Sequence, residues 1–302
     1  PREHSLTALS KALGWPKSTV HGLLSTMVKH HYAQQSAETG RYRLGVRFFE
    51  LGARVGGMWD IRTLAAPYLQ TLNRDLGEMI QLATEDTEVM ILPLAGGAMV
   101  DCAGETFELA PRASVFDGPS DMVYLGIGQA YRVSDVGRFA ICGARAKNSF
   151  PNRRVAAADV SVELRGAGNC SRQVHNFGTA GVFEADSLIA CEVITPGGNW
   201  SSYPPHKHDM EQTPIETQLE ETYYHRLNPP QGFAFQRVYT DDRSLDEACA
   251  VENHDVVMVP RGYHPVGAPH GYDLYYLNVM AGPHRNWVFR NDPAHDWIVR
   301  KP

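Results

Sequence analysis

The spacing of apolar residues changes once along this chain, and that change limits the folds open to it. Up to about residue 85, apolar side chains recur at helical intervals; beyond about residue 88, short runs of Val, Ile, Leu, Tyr and Phe alternate with Gly, Pro, Asn and Asp. The first pattern makes amphipathic helices, and the second makes an all-β region with many turns. The 302 residues leave room for more than one domain, and no low-complexity linker separates the two patterns at 86–96. Charge divides in the same place. The first 60 residues hold eight Lys and Arg against four Asp and Glu, while the whole chain carries a formal net charge of −6, so the remainder carries −10.

Other compositional signals exclude some classes. No run of eighteen apolar residues exists, so no membrane span is expected, and Pro1-Arg2-Glu3-His4 does not open a signal peptide. The five cysteines are odd in number and widely spaced, with no CxxC pair. A disulfide framework or cysteine zinc site is therefore not expected, and a reducing cytoplasm is.

In the helical part, Leu6, Leu9 and Leu13 suit a short helix that Gly14-Trp15-Pro16 ends. A second helix is predicted over 17–30 with Ser18 as its cap. Val20, Leu23, Leu24, Met27 and Val28 form one apolar stripe, and Lys17, Thr19, His21, Ser25, Thr26 and Lys29 lie opposite. Short polar and cationic side chains of that kind touch phosphates and base edges. Residues 32–34 and 41–44 flank Glu38-Thr39-Gly40 as a hairpin wing with Arg41 and Arg43 on its return strand. The same spacing also fits an ordinary helical hairpin with a solvated face. The run LSKALGWPKSTVHGLLSTMVKHHYAQQSAETGRYRLGVRFFELG resembles the winged helix-turn-helix of IclR-type regulators, a resemblance that continues to about residue 88. It implies that Lys17, Ser18, Thr19, His21, Arg41 and Arg43 face DNA. It also implies that most of that family's first helix is missing and that its effector domain stops after one helix and strand.

The densest chemistry lies between Cys191 and Asn291. His206-Lys207-His208 puts two imidazoles on one face of a strand, because alternate residues of a strand point the same way. Glu220-Glu221 then opens an apolar strand, residues 256–259 read as a buried strand, and Pro260-Arg261-Gly262-Tyr263 turns into His264. Three imidazoles and a carboxylate suit one divalent ion with open positions, whether zinc, manganese or iron. A pair of surface histidines before an acidic loop remains the plainer reading of HxH. The order of HxH, Glu and a Pro-Gly turn before His resembles the cupin barrel. Glu221 matches its ligand position better than Glu220, although the insertion over 209–219 leaves that choice open. His225, His270 and His295 are expected at the surface or just behind the ligands.

Longer runs go further. RGAGNCSRQVHNFG, CEVITPGGNWSSYPPHKHD, LEETYYHR, GFAFQRVYTDD, VPRGYHPVGAPHGYDLYYLNVMAGP and NDPAHDW resemble the 5-deoxy-glucuronate isomerase family of myo-inositol breakdown, over about residues 90–300. The resemblance implies two cupin lobes and isomerisation of 5-deoxy-D-glucuronate to 2-deoxy-5-keto-D-gluconate. It carries over His206, His208, Glu221 and His264 as metal ligands. It also implies that the first lobe is incomplete, because IclR-like sequence stands where its first strands should be.

The expected architecture is α+β and multi-domain: a winged helix-turn-helix over 1–60, a linker helix and effector remnant over 61–88, a partial cupin lobe over 89–160 and a metal-binding cupin lobe over 161–302. Isomerisation requires a proton to move between adjacent carbons beside a carbonyl that a metal can polarise. Glu220, Tyr223, Tyr275 and His225 are the candidates for moving it. Arg172, Lys207 and Arg261 are the candidates for the substrate carboxylate. Asn278 and the tyrosines of 272–276 read as barrel structure, and Trp200 as packing at a strand end. A homo-oligomer is expected. The alternative function is a DNA-binding regulator whose cupin lobe senses an inositol catabolite.

Overall fold

A computed structural model describes residues 4–36, 39–44, 86–134 and 137–300. The chain divides into two compact units, Pro1–Ile80 and Gln81–Pro302. The remnant expected over 61–88 lies, up to residue 85, outside the described residues.

In the first unit, helix α1 spans Leu6–Leu13 and helix α2 spans Lys17–Lys29. Ser5 caps α1 by accepting a hydrogen bond from the Ala8 amide at 3.2 Å. Gly14 ends it in the left-handed region at φ 67°, where glycine has no Cβ to clash. The expected cap at Ser18 is not formed. Pro16, extended at φ −57° and ψ 142°, precedes the helix instead and no side chain caps it. Ala33–Gln35 pairs with Tyr42–Leu44 as a hairpin, and His4 exchanges two main-chain hydrogen bonds with Tyr42. Val20, Ala33 and Tyr42 are buried, but the rest of the expected apolar stripe is not: Leu23 remains 48% exposed.

The second unit is almost wholly β. The 16-residue strand Thr87–Cys102 changes partners midway. Its first half pairs with Arg138–Arg145 and Met122–Leu125, and its second half with Glu105–Arg112 and Tyr131–Ser134. Met122–Leu125 and Tyr131–Ser134 are separate strands, with Gly126 and Gly128 between them. An antiparallel six-stranded sheet follows in the order Val256–Val259, Glu220–Asn228, Asp273–Ala281, Ile189–Thr195, Arg172–Gly178, Ser161–Arg165. A four-stranded sheet faces it: Trp200–Ser201, Val266–Gly267, Phe233–Tyr239, Asp246–Glu252. Trp200, expected to pack a strand end, lies at that sheet's edge and is 42% exposed.

Val174, Val193, Tyr223, Leu274 and Tyr276 meet Ala234, Val238, Val251 and Val266 between the two sheets. On the other side of the six-stranded sheet, Phe177, Ala190, Tyr275 and Leu277 meet Met90, Leu92, Met122 and Tyr124. Its central strands therefore have no solvent face. The edge strand Val256–Val259 was expected to be buried, yet Val256 is 59% and Met258 73% exposed. Only one side of an edge strand has a neighbour, and here one face also meets water.

A buried carboxylate ties the first strands to the second half of this unit. Glu88 accepts hydrogen bonds from the amides of Asp186, Ser187 and Leu188 at 2.9, 2.7 and 2.6 Å, and from the Tyr124 hydroxyl at 2.6 Å. Arg285 adds three guanidinium bonds to the carbonyls of Gly178, Phe183 and Leu188. Charge-assisted bonds of this kind are among the stronger polar contacts in proteins. Glu88→Gln puts an amide donor among those three amides. It is expected to cost roughly 2–4 kcal/mol, read as a lower urea midpoint at unchanged slope; an unchanged midpoint would refute this account.

Candidate metal centre and the cleft beside it

Strand periodicity delivers the ligands. His206–Lys207 pairs with Arg290–Asn291, which leaves His206 and His208 on one side and Lys207 on the other. Glu220–Asn228 alternates as well: Glu220 is exposed, Glu221 buried. Gly262, at φ 90°, lets the chain turn toward His264; a Cβ there would stand 2.4 Å from the Tyr239 carbonyl oxygen.

His208, Glu221 and His264 offer ligand atoms that all lie within 4.8 Å of one another. The Glu221 Oε2 atom is 2.9 Å from His208 Nε2 and 3.1 Å from His264 Nε2. None of these three atoms has a hydrogen-bond partner of acceptable geometry, although all are buried. The other ring nitrogens explain why. His264 Nδ1 is 2.8 Å from the Gly262 carbonyl and His208 Nδ1 is 3.3 Å from the Leu219 carbonyl. A carbonyl only accepts, so each Nδ1 carries a hydrogen, and in its neutral form each ring aims a bare Nε2 lone pair at a carboxylate oxygen. That arrangement repels unless a cation lies between. The donor set therefore fits a divalent ion. The fourth expected ligand, His206, stands beside the trio, its ring centre 5.0 Å from that of His264 and 6.3 Å from that of His208, and packs on Phe289 at 4.4 Å.

The three rings differ in their electrostatics. Burial, reinforced by the neighbouring imidazoles, holds His206 well below the usual histidine range, and burial also lowers His264. Burial alone would lower His208, but the Glu221 carboxylate outweighs it and raises that ring. For Glu221, burial pushes upward and is overcome by His264, His208 and the Asn278 amide, bringing it to about 2. Asn278 donates to the other Glu221 oxygen, Oε1.

A cleft of about 310 Å³ opens beside the trio, lined in part by Arg165, Arg172, Ser202, His206, Tyr223 and Asn278. Of the four candidates for moving the proton, Tyr223 faces it, its hydroxyl 2.9 Å from Ser202 Oγ. Glu220 points to solvent. Tyr275 lies on the opposite face of the sheet and donates to Glu192 at 2.7 Å. There Glu192 also pairs with Arg112, inside the first hydrophobic core. His225 is buried against Gln236 at 3.0 Å, and burial brings it down to about 4. His270 is exposed and His295 half-buried, near their expected surface positions.

The expected carboxylate-binding cations separate too. Arg172 lines the cleft, 9% exposed, and its Nη1 donates to the carbonyls of Cys170 and Tyr203 at 3.0 and 3.4 Å. Lys207 is turned away into a pocket of carboxylates, and Arg261 is exposed, 3.5 Å from Ser244 Oγ. Reasoning from sequence missed Arg165 and Ser202, and read Tyr276 and Asn278 as structural. Asn278 follows Tyr276 by one strand period, so period-two alternation was the signal available for it, whereas Arg165 offered only its place at the start of a motif run.

In the first unit, Lys17, Ser18, Thr19 and His21 are exposed along the start of α2, and Arg41 is exposed before the hairpin's return strand. Arg43 pairs with Gln34 through the main chain.

The two carboxylates of the ligand strand make a direct test. Glu221→Gln should lose retained metal, and Glu220→Gln should keep it, measured by elemental analysis after gel filtration. The reverse pattern would overturn the register assigned to this strand.

Comparison with known proteins gives two matches along the chain. The KduI/IolB family matches residues 60–298, and the IclR helix-turn-helix domain matches residues 1–37. A 5-deoxy-glucuronate isomerase of Halalkalibacterium halodurans is 50% identical over 244 residues, covering 80% of this chain and 90% of that protein. One from Listeria innocua is 50% identical over 232 residues, covering 74% and 84%. Among solved structures, an IolB-like protein of Salmonella typhimurium is 47% identical with a TM-score of 0.71, covering 73% of this chain and 85% of that one. An oxalate decarboxylase of Lactobacillus farciminis shares the fold at 14% identity, with a TM-score of 0.51 and coverage of 74% and 77%. The fold is thus mainly β and cupin-like, and by the extent of these matches the chain belongs to the KduI/IolB family.

Proposed function

We propose that the chain is a metal-dependent aldose–ketose isomerase that converts 5-deoxy-D-glucuronate to 2-deoxy-5-keto-D-gluconate. The observation that carries this reading is the pair of imidazole lone pairs aimed at the buried Glu221 carboxylate, next to a cleft lined by two guanidinium groups. The reaction is the one for which the chain's relatives are named. His208, Glu221 and His264, with His206 beside them, would hold one zinc, manganese or iron ion. When bound, that ion supplies a Lewis acid for the sugar's carbonyl oxygen.

The chain's own residues do the rest. Arg172 is buried and its hydrogen bonds go to main-chain carbonyls, so its charge is available to a substrate carboxylate. Arg165 is partly neutralised by Glu163, at 2.9 and 2.7 Å, and stacks over Trp287, which makes it a wall of the cleft more than an anchor. Tyr223 is kept protonated, because burial raises its pKa and the Glu221 charge adds to that. Its hydroxyl, oriented by Ser202, can therefore give a hydrogen bond to a sugar oxygen as negative charge develops there.

A second reading applies to the first unit: it binds duplex DNA through α2 and the hairpin. The exposed row Lys17, Ser18, Thr19 and His21, within a segment matching the IclR helix-turn-helix domain, supports it. The two readings are compatible in one chain.

Purified protein with its metal is expected to consume the aldehyde of 5-deoxy-D-glucuronate, followed by NMR, and to stop when a chelator is added. Folded, metal-loaded protein that converts none of it would defeat the isomerase reading. Arg172→Ala should raise KM about 10–100-fold, the loss of a charge-assisted bond, while leaving bound metal unchanged. For the first unit, duplex binding should be present near 50 mM salt and fall steeply toward 200 mM, about one decade or more. No retention at the lower salt would remove the DNA-binding reading.

A further inference from the structure

Lys207 lies between two expected ligands and is 97% hidden, yet it faces away from the cleft. Its ammonium sits 2.9 Å from Asp209 Oδ1, 3.0 Å from Asp241 Oδ2 and 3.9 Å from Glu216 Oε1. A buried ammonium among carboxylates fixes them in place, because each would otherwise have to be solvated or protonated. Asp209 is the member of this group that reaches onward. Its second oxygen, Oδ2, accepts the Gly262 amide at 2.8 Å. The Gly262 carbonyl in turn accepts His264 Nδ1 at 2.8 Å. Glu216 Oε1 holds the Asp209 amide at 2.8 Å and the Met210 amide at 3.1 Å, which stops the segment from sliding.

We infer that Asp209, anchored by Lys207, is a positioning residue for the metal centre: it clamps the turn bearing His264 to the strand bearing His206 and His208. The clamp works through Gly262. By fixing that glycine it presents the carbonyl that selects the Nδ1–H tautomer of His264, which leaves Nε2 as the donor aimed at Glu221. Two ligand-bearing segments that are 56 residues apart in sequence, at His208 and His264, are thereby held at one spacing. Lys207 thus serves the site from behind, whereas its residue type had suggested a substrate carboxylate as its partner. This inference rests on the reading of the trio as a metal site.

The test uses the full chain, stripped of metal and titrated separately with Zn²⁺ and Mn²⁺ by calorimetry. Asp209→Ala is expected to weaken binding about 10–100-fold, the range typical of groups that orient a metal-bound imidazole. Lys207→Met should weaken it in the same direction. Asp209→Asn, which keeps an acceptor for Gly262 but loses the charge on Lys207, should fall between the wild type and Asp209→Ala. In the metal-free protein, ¹⁵N NMR should find His264 wholly as the Nδ1–H tautomer in the wild type and mixed in Asp209→Ala. Glu88→Gln, remote from the centre, serves as a control that lowers stability without touching the clamp, and it should retain wild-type affinity. Wild-type protein that binds neither ion would overturn the metal reading and this inference with it. Wild-type binding that Asp209→Ala leaves unchanged would overturn the inference alone. So would an equal loss in Glu88→Gln, because the effect would then be one of general stability.

Discussion

The strand Asp273–Ala281 runs through the middle of the six-stranded sheet and is covered on both sides, so its side chains from Leu274 to Asn278 are all buried. Leu274 and Tyr276 go to the core shared with the four-stranded sheet, and Tyr275 and Leu277 to the core shared with the first strands. Its neighbour Ile189–Thr195 divides in the same way, with Cys191 and Val193 on one side and Glu192 on the other. A sheet with two dry faces cannot tolerate an unpartnered polar group on either. Most of the polar chemistry of this unit follows from how that demand is met.

Three buried carboxylates meet it in three ways. Glu88 collects three amides and a hydroxyl and joins the first strands to the rest of the unit. Glu192 has Arg112 and Tyr275, with His175 3.6 Å away. Burial would raise Glu192, but His175 and Arg112 keep it below the usual carboxylate range. Glu221 has one amide donor, from Asn278, and two imidazoles whose hydrogens are engaged elsewhere. The first two are complete within the protein. The third keeps one buried oxygen, Oε2, without a donor, which sets it apart from the other two and fits a cation there.

How much of this the sequence disclosed follows from the same two-residue period. His206 and His208 sharing a face is a consequence of alternation that needs no knowledge of the fold, whereas alternation only set Glu220 and Glu221 on opposite faces and the preference for Glu221 came from the cupin resemblance. Alternation also separates Tyr275 from Tyr276, but it does not say which of the two buried faces holds the cleft; only the pairing of Asn278 with Tyr223 across the sheet does that. Lys207 and Arg261 carried the charge expected of substrate anchors, and Lys207 lost that role to parity alone. Arg165 was out of reach because it sits on an edge strand some 40 residues before the first ligand, brought to the cleft by the strand order. In the first unit both helices fell near their expected bounds. The misplaced cap came from choosing Ser18 by residue type when Pro16 already fixed the start of α2.

The alternation of His206, Lys207 and His208 has a consequence for how sequences of this kind can change length. Suppose one residue is gained or lost in the loop before His206 and the strand is carried forward by one position. The lysine would then turn into the cleft, and both imidazoles would turn toward Asp241 and Glu216. A change of two residues would restore the parity. Drift in loop length at this point is therefore filtered by whether the number is odd or even, and a surviving odd change must be absorbed by a bulge before the strand begins.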